Sequence, residues 1–239
     1  MNWWNDFFDL NQNDKILLFS SLSFIMSLRQ YVPTLCIGAS CVIPKSSVEF
    51  ESAIISGKVN KLICTPSALA TLDVDKVSPL IDYVQVAGEA RRLSTMMQWK
   101  SKVEKLFIGL GPTELCAHAL CGEFDGETLC LGYPAGNVRA YVVNSQSGIQ
   151  CPINVPGELW VAGKNVSNGY LNGEHSSGGK FCLDPFDVKS CDRCYKTGDL
   201  AKVSNMQITF MRKEFAHFII CHRDFLMVES NLLDGVMHS

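Results

Sequence analysis

Short apolar segments alternate with helical stretches through the first half of this chain, and this alternation restricts the possible folds more than any other feature. Segments of strand length lie at residues 16–19, 41–43, 61–64, 83–86 and 105–108. Helical patterns lie between them, near residues 28–35, 48–56, 66–72 and 94–103. Such a rhythm predicts an α/β fold in which helices cover both faces of a sheet.

The pattern changes after Glu114. Residues 138–143, 158–161, 201–203 and 207–210 read as strands separated by Gly, Pro and Asn turns. We therefore expect an α/β subdomain over residues 1–125 and a smaller β-rich subdomain over residues 126–214. Residues 215–239 are expected to form a tail.

The composition excludes several classes of function. With 239 residues, 47% hydrophobic residues and a net charge of −3, the chain has neither the basic character of a nucleic-acid-binding protein nor an apolar run of bilayer length. Its N-terminus does not resemble a signal peptide, so we expect a cytoplasmic protein with no membrane or nucleic-acid partner. The 11 cysteines are odd in number and irregularly spaced, which favours reduced thiols over a disulfide framework.

The chain carries an ordered set of motifs: Gly111-Pro112-Thr113-Glu114, then Gly157-Glu158-Leu159-Trp160-Val161-Ala162-Gly163, then Tyr195-Lys196-Thr197-Gly198-Asp199-Leu200. Each motif alone is weak, but their order and spacing are specific. The set resembles the core signatures of the adenylate-forming (AMP-binding) superfamily, most closely the adenylation domains of nonribosomal peptide synthetases. Three further segments extend the resemblance: residues 88–90, 170–172 and 184–186.

The resemblance implies a fold and an activity. The fold would be a Rossmann-like layered αβα subdomain followed by a smaller, distorted β-barrel. The activity would be that of an ATP-dependent carboxylate-activating ligase, which forms an acyl- or aminoacyl-adenylate and uses ATP/AMP and Mg²⁺. A carboxylic or amino acid would be the substrate, and a phosphopantetheinyl carrier protein would be a possible partner.

The resemblance also assigns nucleotide-site residues. Glu114 would be the Mg²⁺ ligand, Thr113 would reach the α-phosphate, and Gly111 would shape the turn that presents both. Asp199 would accept hydrogen bonds from the ribose hydroxyls, and Arg212 would also reach the ribose. The alternatives are a turn-capping role for Asp199 and a solvated surface charge for Arg212.

Gly88, Glu89 and Ala90 follow a predicted strand and would contact adenine, although a plain strand-to-helix turn would look the same. Leu110 stands where the family usually has a tyrosine that stacks on adenine. Leucine can cover a base but cannot stack as an aromatic ring does.

A substrate pocket can also be aligned. Ile25 stands where amino-acid-activating members carry an aspartate that pairs with the α-ammonium group, so the pocket should reject ordinary α-amino acids. This leaves two alternatives, an apolar or aryl carboxylic acid as substrate or decay of an unused pocket. The other aligned pocket positions are Met26, Arg29, Gln85, Ala87, Gly109, Ala117 and His118.

The resemblance is strong over residues 1–214 and covers only the middle of an adenylation domain. The family's phosphate loop and the lysine of its C-terminal domain have no counterpart, and Phe218 stands where a lysine is usual. An alternative is therefore a catalytically inactive, truncated pseudo-adenylation domain that acts as a weak nucleotide-binding or interaction module.

Overall fold

The computed structural model describes residues 2–46, 49–171, 178–204, 206–213, 221–222 and 225–226. Twelve strands form one mixed sheet, and a separate pair lies near the end of the chain. The strands are β1 (Lys15–Leu17), β2 (Ser40–Val42), β3 (Lys61–Cys64), β4 (Tyr83–Val86), β5 (Lys105–Leu110), β6 (Leu120–Glu123), β7 (Cys130–Pro134), β8 (Val138–Val143), β9 (Gly157–Gly163), β10 (Phe181–Leu183), β11 (Arg193–Ser204), β12 (Gln207–Lys213), β13 (Cys221–His222) and β14 (Phe225–Leu226).

The described α-helices are short. They are α1 (Asn2–Phe8), α2 (Met26–Cys36), α3 (Phe50–Gly57), α4 (Pro66–Ala70), α5 (Val74–Val77) and α6 (Leu93–Lys100). Two of them begin with side-chain caps. The Thr65 side chain accepts a hydrogen bond from the amide of Ala68 at the start of α4, and the Asp73 side chain accepts one from the amide of Asp75 at the start of α5. Such caps satisfy backbone donors that have no partner inside the helix.

The first five strands form the parallel part of the sheet, in the order β2-β1-β3-β4-β5. Their side chains alternate between two faces. One face carries Leu62, Val84 and Leu106 into a core that also contains residues of α3, α5 and α6. The other face carries Tyr83 and Phe107 into a second core with the aromatic side chains of α1. Both faces of the sheet are therefore covered, as the strand–helix alternation predicts.

Pairing becomes antiparallel at β6, which follows β5 in the sheet, and the order then continues β7-β12-β11-β9-β8, with β10 beside β11. The α/β class predicted from the alternation is confirmed. Strands β6 and β7 were not expected from the sequence. The boundary predicted at residue 125 lies in the turn between them, inside one continuous ladder, and the division into subdomains stays a prediction.

None of the helices in the described ranges is both long enough and apolar enough to cross a bilayer.

Candidate functional site

The carboxyl ends of β3, β4 and β5 meet at one edge of the sheet. The segments that leave this edge begin at Thr65, Ala87 and Gly111, and two of the sequence motifs lie on them. Open α/β sheets bind ligands in the crevice at this edge. The motif positions in the first half of the chain are therefore placed where a ligand site is expected.

Glu114 is held by the loop that follows β9. Its carboxylate oxygen Oε1 accepts a hydrogen bond of 2.6 Å from the hydroxyl of Tyr170, and its carbonyl oxygen accepts one of 2.8 Å from the amide of Ser167. Tyr195 lies beside this pair, and burial together with the negative charge of Glu114 raises the pKa of Tyr195. The motif that begins at Tyr195 thus meets the motif that ends at Glu114.

Asp199 reaches the same region through a bulge in β11. The pairing register between β11 and β9 shifts between Lys196 and Leu200, and Gly198 has a φ of +71°, a left-handed conformation that suits glycine. The hydroxyl of Thr197 accepts a hydrogen bond from the Asp199 amide and donates one to the Leu159 carbonyl. The bulge leaves Asp199 only 5% exposed.

Arg91 joins Asp199 to the end of β5. Its guanidinium donates a hydrogen bond to the carbonyl of Gly109. Burial lowers the pKa of Arg91 to about 10, and the nearby Cys121 and Asp199 oppose that shift. Arg91 is therefore an unforeseen member of the site, although it lies directly after the predicted adenine-binding segment.

The predicted adenine segment forms a tight turn. Gly88 has a φ of +92°, and a β-carbon at this position would lie 3.4 Å from the terminal methyl of Met26. The Glu89 carboxylate accepts hydrogen bonds from the amide and hydroxyl of Ser67, at 3.1 Å and 2.9 Å. An open cleft of about 590 Å³ adjoins this turn, with Thr65 and Ser67 in its lining.

Arg29 lies at the centre of the aligned substrate pocket and is 3% exposed. Its Nε donates a hydrogen bond to the Ala117 carbonyl. A β-carbon at Gly109 would lie 3.1 Å from Nη1 of Arg29 and 3.1 Å from Nε2 of Gln85. Four of the eight aligned positions, Arg29, Gln85, Gly109 and Ala117, are thus brought together.

His118 adjoins Arg29 under the aromatic side chains of α1. Its ring lies 5.1 Å from that of Trp3 and 4.4 Å from that of Trp4. Trp4 also lies 5.9 Å from the guanidinium carbon of Arg29. Burial and then the charge of Arg29 lower the pKa of His118 well below its usual value. Helix α1 therefore covers the predicted pocket, which sequence periodicity alone does not reveal.

The remaining predicted residues occupy separate positions around this edge. Ile25 directly precedes α2 and is half-buried, whereas Met26 and Ala87 are buried in the core under α1. Thr113 begins a short 3-10 turn and is exposed. The backbone of Arg212 pairs with Leu200, one residue from Asp199, but its side chain lies outside the described residues, as does Phe218.

Among the described residues, no group of three or more His, Cys, Asp or Glu side chains could hold a metal ion. Glu114 therefore belongs to no such group of three in this part of the chain. A Mg²⁺ ion commonly binds proteins through one or two carboxylates, with waters and substrate phosphates completing its octahedral shell. The donor set around Glu114 fits an ion of that kind and does not fit a structural zinc.

Buried acidic and basic groups, among them Arg29 and Asp199, lie near the carboxyl edge of this α/β sheet, where open sheets of this class bind ligands. The family model for the AMP-binding enzyme matches residues 1–171, and the chain belongs to this family. The resemblance carried by the three motifs is confirmed.

Curated relatives agree with this assignment. The chain is 29% identical over 205 residues to malpinin synthetase of Mortierella alpina, a match that covers 81% of this chain and 3% of the relative. It is 33% identical over 211 residues to bacitracin synthase 3 of Bacillus licheniformis, covering 82% of this chain and 3% of the relative. The chain thus spans only a small part of these large synthetases.

Solved structures share the fold. The Vibrio cholerae adenylation domain AlmE, in complex with glycyl-adenosine-5′-phosphate, superposes with a TM-score of 0.79 at 19% identity, covering 92% of this chain and 44% of that one. NpsA-ThdA from Klebsiella oxytoca, an artificially fused adenylation–PCP di-domain, gives a TM-score of 0.77 at 22% identity. The match covers 89% of this chain and 42% of that one.

Proposed function

We propose that this chain is the nucleotide- and acyl-binding part of an ATP-dependent carboxylate-activating ligase. The observation that carries the proposal is the convergence of motifs far apart in the sequence. Glu114 meets Tyr170 and Tyr195, while Arg91 connects Asp199 to the end of β5. Two carboxylates and a row of backbone turns then lie at one edge of the sheet.

The proposed reaction is adenylate formation. A carboxylate oxygen of the substrate attacks the α-phosphorus of ATP, the bond from that phosphorus to the bridging oxygen breaks, and pyrophosphate leaves. Such chemistry depends on positioning and on neutralising the phosphate charge. Thr113 would donate its hydroxyl hydrogen to an α-phosphate oxygen, because it lies at the start of the turn after β5 and is exposed.

Asp199 would hold the ribose. A carboxylate can accept hydrogen bonds from both ribose hydroxyls. The bulge at Gly198 sets the position of Asp199 in β11. Arg212, on the neighbouring strand, would contact the same sugar. Gly88, Glu89 and Ala90 would border the adenine, where the glycine turn allows the backbone to approach a flat ring.

Mg²⁺ would bind at Glu114. Bound there, the ion would neutralise negative charge on the phosphate oxygens. The chain's own contribution is orientation, because Tyr170 fixes the Glu114 carboxylate through Oε1. The backbone bond from Ser167 to the Glu114 carbonyl holds the same turn.

The partners follow from the same proposal. The substrate would be a carboxylic acid that becomes an acyl-adenylate, and a phosphopantetheinyl carrier protein would receive the acyl group, as the fused adenylation–PCP relative suggests. A reducing, cytoplasmic location is also proposed, because the cysteines whose side chains are described are free thiols.

Calorimetric titration of the purified chain with ATP–Mg²⁺ and with AMP tests the proposal. We expect saturable binding of both ligands that is lost in Asp199→Asn. The matched control is Asp125→Asn, because the Asp125 carboxylate, in the loop after β6, accepts hydrogen bonds from the nearby amides of Glu127 and Thr128. Equal binding by the Asp199 variant and the parent would remove Asp199 from the nucleotide site, and no binding at millimolar nucleotide would overturn the proposal.

ATP–pyrophosphate exchange separates the ligase from a nucleotide-binding module. Exchange that requires a carboxylic acid and Mg²⁺ supports the ligase. Nucleotide binding without exchange, over a panel of carboxylic acids, would instead assign the chain the role of a binding module.

A further inference from the structure

Arg29 is a buried cation without a counter-ion among the described residues. Its Nη1 and Nη2 atoms are inaccessible to solvent and have no hydrogen-bond partner there, and none of the described ion pairs includes it. The charged or titratable groups that act on it are Cys121, Tyr83, Arg91 and His118, none of which is a carboxylate. Burying a charge in this way is costly unless a partner arrives.

Arg139, another arginine at the sheet, is fully paired by contrast. It donates to Asp184 at 3.0 Å and to Asp192 at 2.8 Å, and these bonds hold the Asp184-Pro185-Phe186 segment against β8. Arg29 is more deeply buried, yet its only described hydrogen bond goes from Nε to the Ala117 carbonyl. Its two terminal nitrogens have no hydrogen-bond partner among the described residues and become accessible to a ligand only when the surrounding side chains move.

Loss of a proton does not remove this unpaired charge. Burial lowers the pKa of Arg29 to about 10, so the guanidinium keeps its charge at neutral pH. The favourable outcome is then an anion bound to both Nη atoms, since guanidinium and carboxylate form bidentate pairs.

Two polar side chains border the place where such an anion would bind. Because Gly109 has no side chain, Nη1 of Arg29 and the amide nitrogen of Gln85 approach its α-carbon closely, and a β-carbon there would lie only 3.1 Å from each. An anion therefore binds beside Gly109 only when these two side chains move apart. The Gln85 amide is fully buried. Its Nε2 donates a hydrogen bond of 3.5 Å to Sγ of Cys121, and its Oε1 has no partner in the described structure. Trp4 covers the guanidinium on another side.

We propose that Arg29 is a specificity-determining residue that selects an acyl substrate carrying a second carboxylate. The reacting carboxylate would lie toward the nucleotide at Thr113, and the distal carboxylate would pair with Arg29 beside Gly109. This inference rests on the proposed function, because it assigns a substrate class to the same ligase. Ile25, which offers no charge to an ammonium group, agrees with a diacid that has no α-amino group.

The test is calorimetric binding of succinate, glutarate, adipate and isophthalate, each compared with its monomethyl ester, in the presence of saturating AMP. We expect at least one diacid to bind about tenfold or more tightly than its ester. Arg29→Met should remove that preference while AMP affinity is kept. Gly109→Ala should reduce it without changing the charge, because the added β-carbon would crowd Arg29 and Gln85.

Thermal unfolding of the free variants supplies a second readout. If Arg29 lacks an internal partner, Arg29→Met should unfold at the same or a higher temperature than the parent, whereas Arg139→Met should unfold at a lower one. A fall for Arg29→Met comparable to that for Arg139→Met would reveal an internal counter-ion and overturn the inference.

The binding outcomes also decide between this inference and the proposed function. AMP binding with no diacid preference would overturn the role of Arg29 and leave the ligase proposal standing. An equal loss of diacid and monoester binding in Arg29→Met would place the reacting carboxylate at Arg29 and overturn selection of a second one. Loss of AMP binding by the parent would reject the proposed function itself.

Discussion

The hydroxyl of Tyr170 donates a hydrogen bond of 2.6 Å to Oε1 of Glu114, across 56 residues of sequence. The bond joins the loop after β9 to the turn after β5. Burial and the hydrogen bond to Glu114 raise the pKa of Tyr170 to about 12, so its hydroxyl stays protonated and remains a donor at neutral pH. The carboxylate is thus oriented before any ligand arrives.

Removing this donor should weaken metal-dependent nucleotide binding. In Tyr170→Phe we expect the affinity for ATP–Mg²⁺ to fall by about tenfold at most, because a hydrogen bond to a charged group contributes about 1.5 kcal/mol. AMP without Mg²⁺ should bind nearly as in the parent. Calorimetry measures both affinities. Tyr133→Phe, which removes a surface hydroxyl bonded to Gln207, is the control, and equal losses in the two variants would contradict the prediction.

The bulge at Gly198 should be needed for the position of Asp199. A β-carbon at Gly198 meets no atom within 4 Å, so Gly198→Ala adds backbone strain alone at a φ of +71°. We expect the free energy of unfolding to fall by about 1 kcal/mol and the affinity for AMP to fall with it. Chemical denaturation and calorimetry measure these two quantities.

Gly126 provides the matched control for this variant. It has a φ of +95°, also with open space around it, in the turn between β6 and β7. Gly126→Ala should lower stability by a similar amount and leave AMP affinity unchanged. A fall in AMP affinity of the same size in both variants would mean that strain anywhere weakens the site.

The ion pairs of Arg139 should contribute more to stability than those on the surface. The Asp184 side chain is fully buried and that of Arg139 is 31% exposed, so Arg139→Met would leave a buried carboxylate without its cation. We expect a loss of about 2 kcal/mol in the free energy of unfolding, less than the roughly 3–5 kcal/mol typical of a fully buried pair. Lys102→Met breaks an exposed ion pair with Asp75 and should change the free energy of unfolding by less than about 1 kcal/mol. Equal losses would contradict the prediction.

His118 should make the stability depend on pH. Its pKa in the folded chain lies well below the ordinary value of 6.5, so below pH 6.5 the unfolded chain binds a proton that the folded chain does not. The free energy of unfolding should therefore fall as the pH drops below 6.5, whereas above that pH this contribution is fully present. His118→Phe should show a shallower fall as the pH is lowered from about 6.5 to about 5. Identical slopes in urea denaturation would rule out His118 as the cause.

The sequence predicts the parallel strands and the motif turns well, for physical reasons. Buried strands of a parallel sheet are short apolar runs, and turns such as the one at Gly88 need residues that tolerate unusual φ angles. Both signals are local. The aligned pocket residues Arg29, Gln85 and Gly109 also come together, although their roles stay predictions.

Other parts of the site could not be predicted because they depend on contacts between distant segments. Periodicity shows that α1 is apolar but does not indicate which face of the sheet it covers. The pairing of Tyr170 with Glu114 and the position of Arg91 beside Asp199 likewise depend on how β11 and the loop after β9 meet the parallel sheet. The absence of a carboxylate near Arg29 in the described structure becomes visible only when its neighbours are known.

Helix α1 has seven residues, too few for a helix that is stable by itself in water. It can form only against a finished sheet, where Phe8 packs on Tyr83 and Phe107 with ring centres 5.3 Å from each. The wall above Arg29 thus depends on the sheet beneath it, and we expect the amides of α1 to exchange sooner than those of the parallel strands. Fraying of this short helix would uncover the predicted pocket while every strand beneath it stayed hydrogen-bonded.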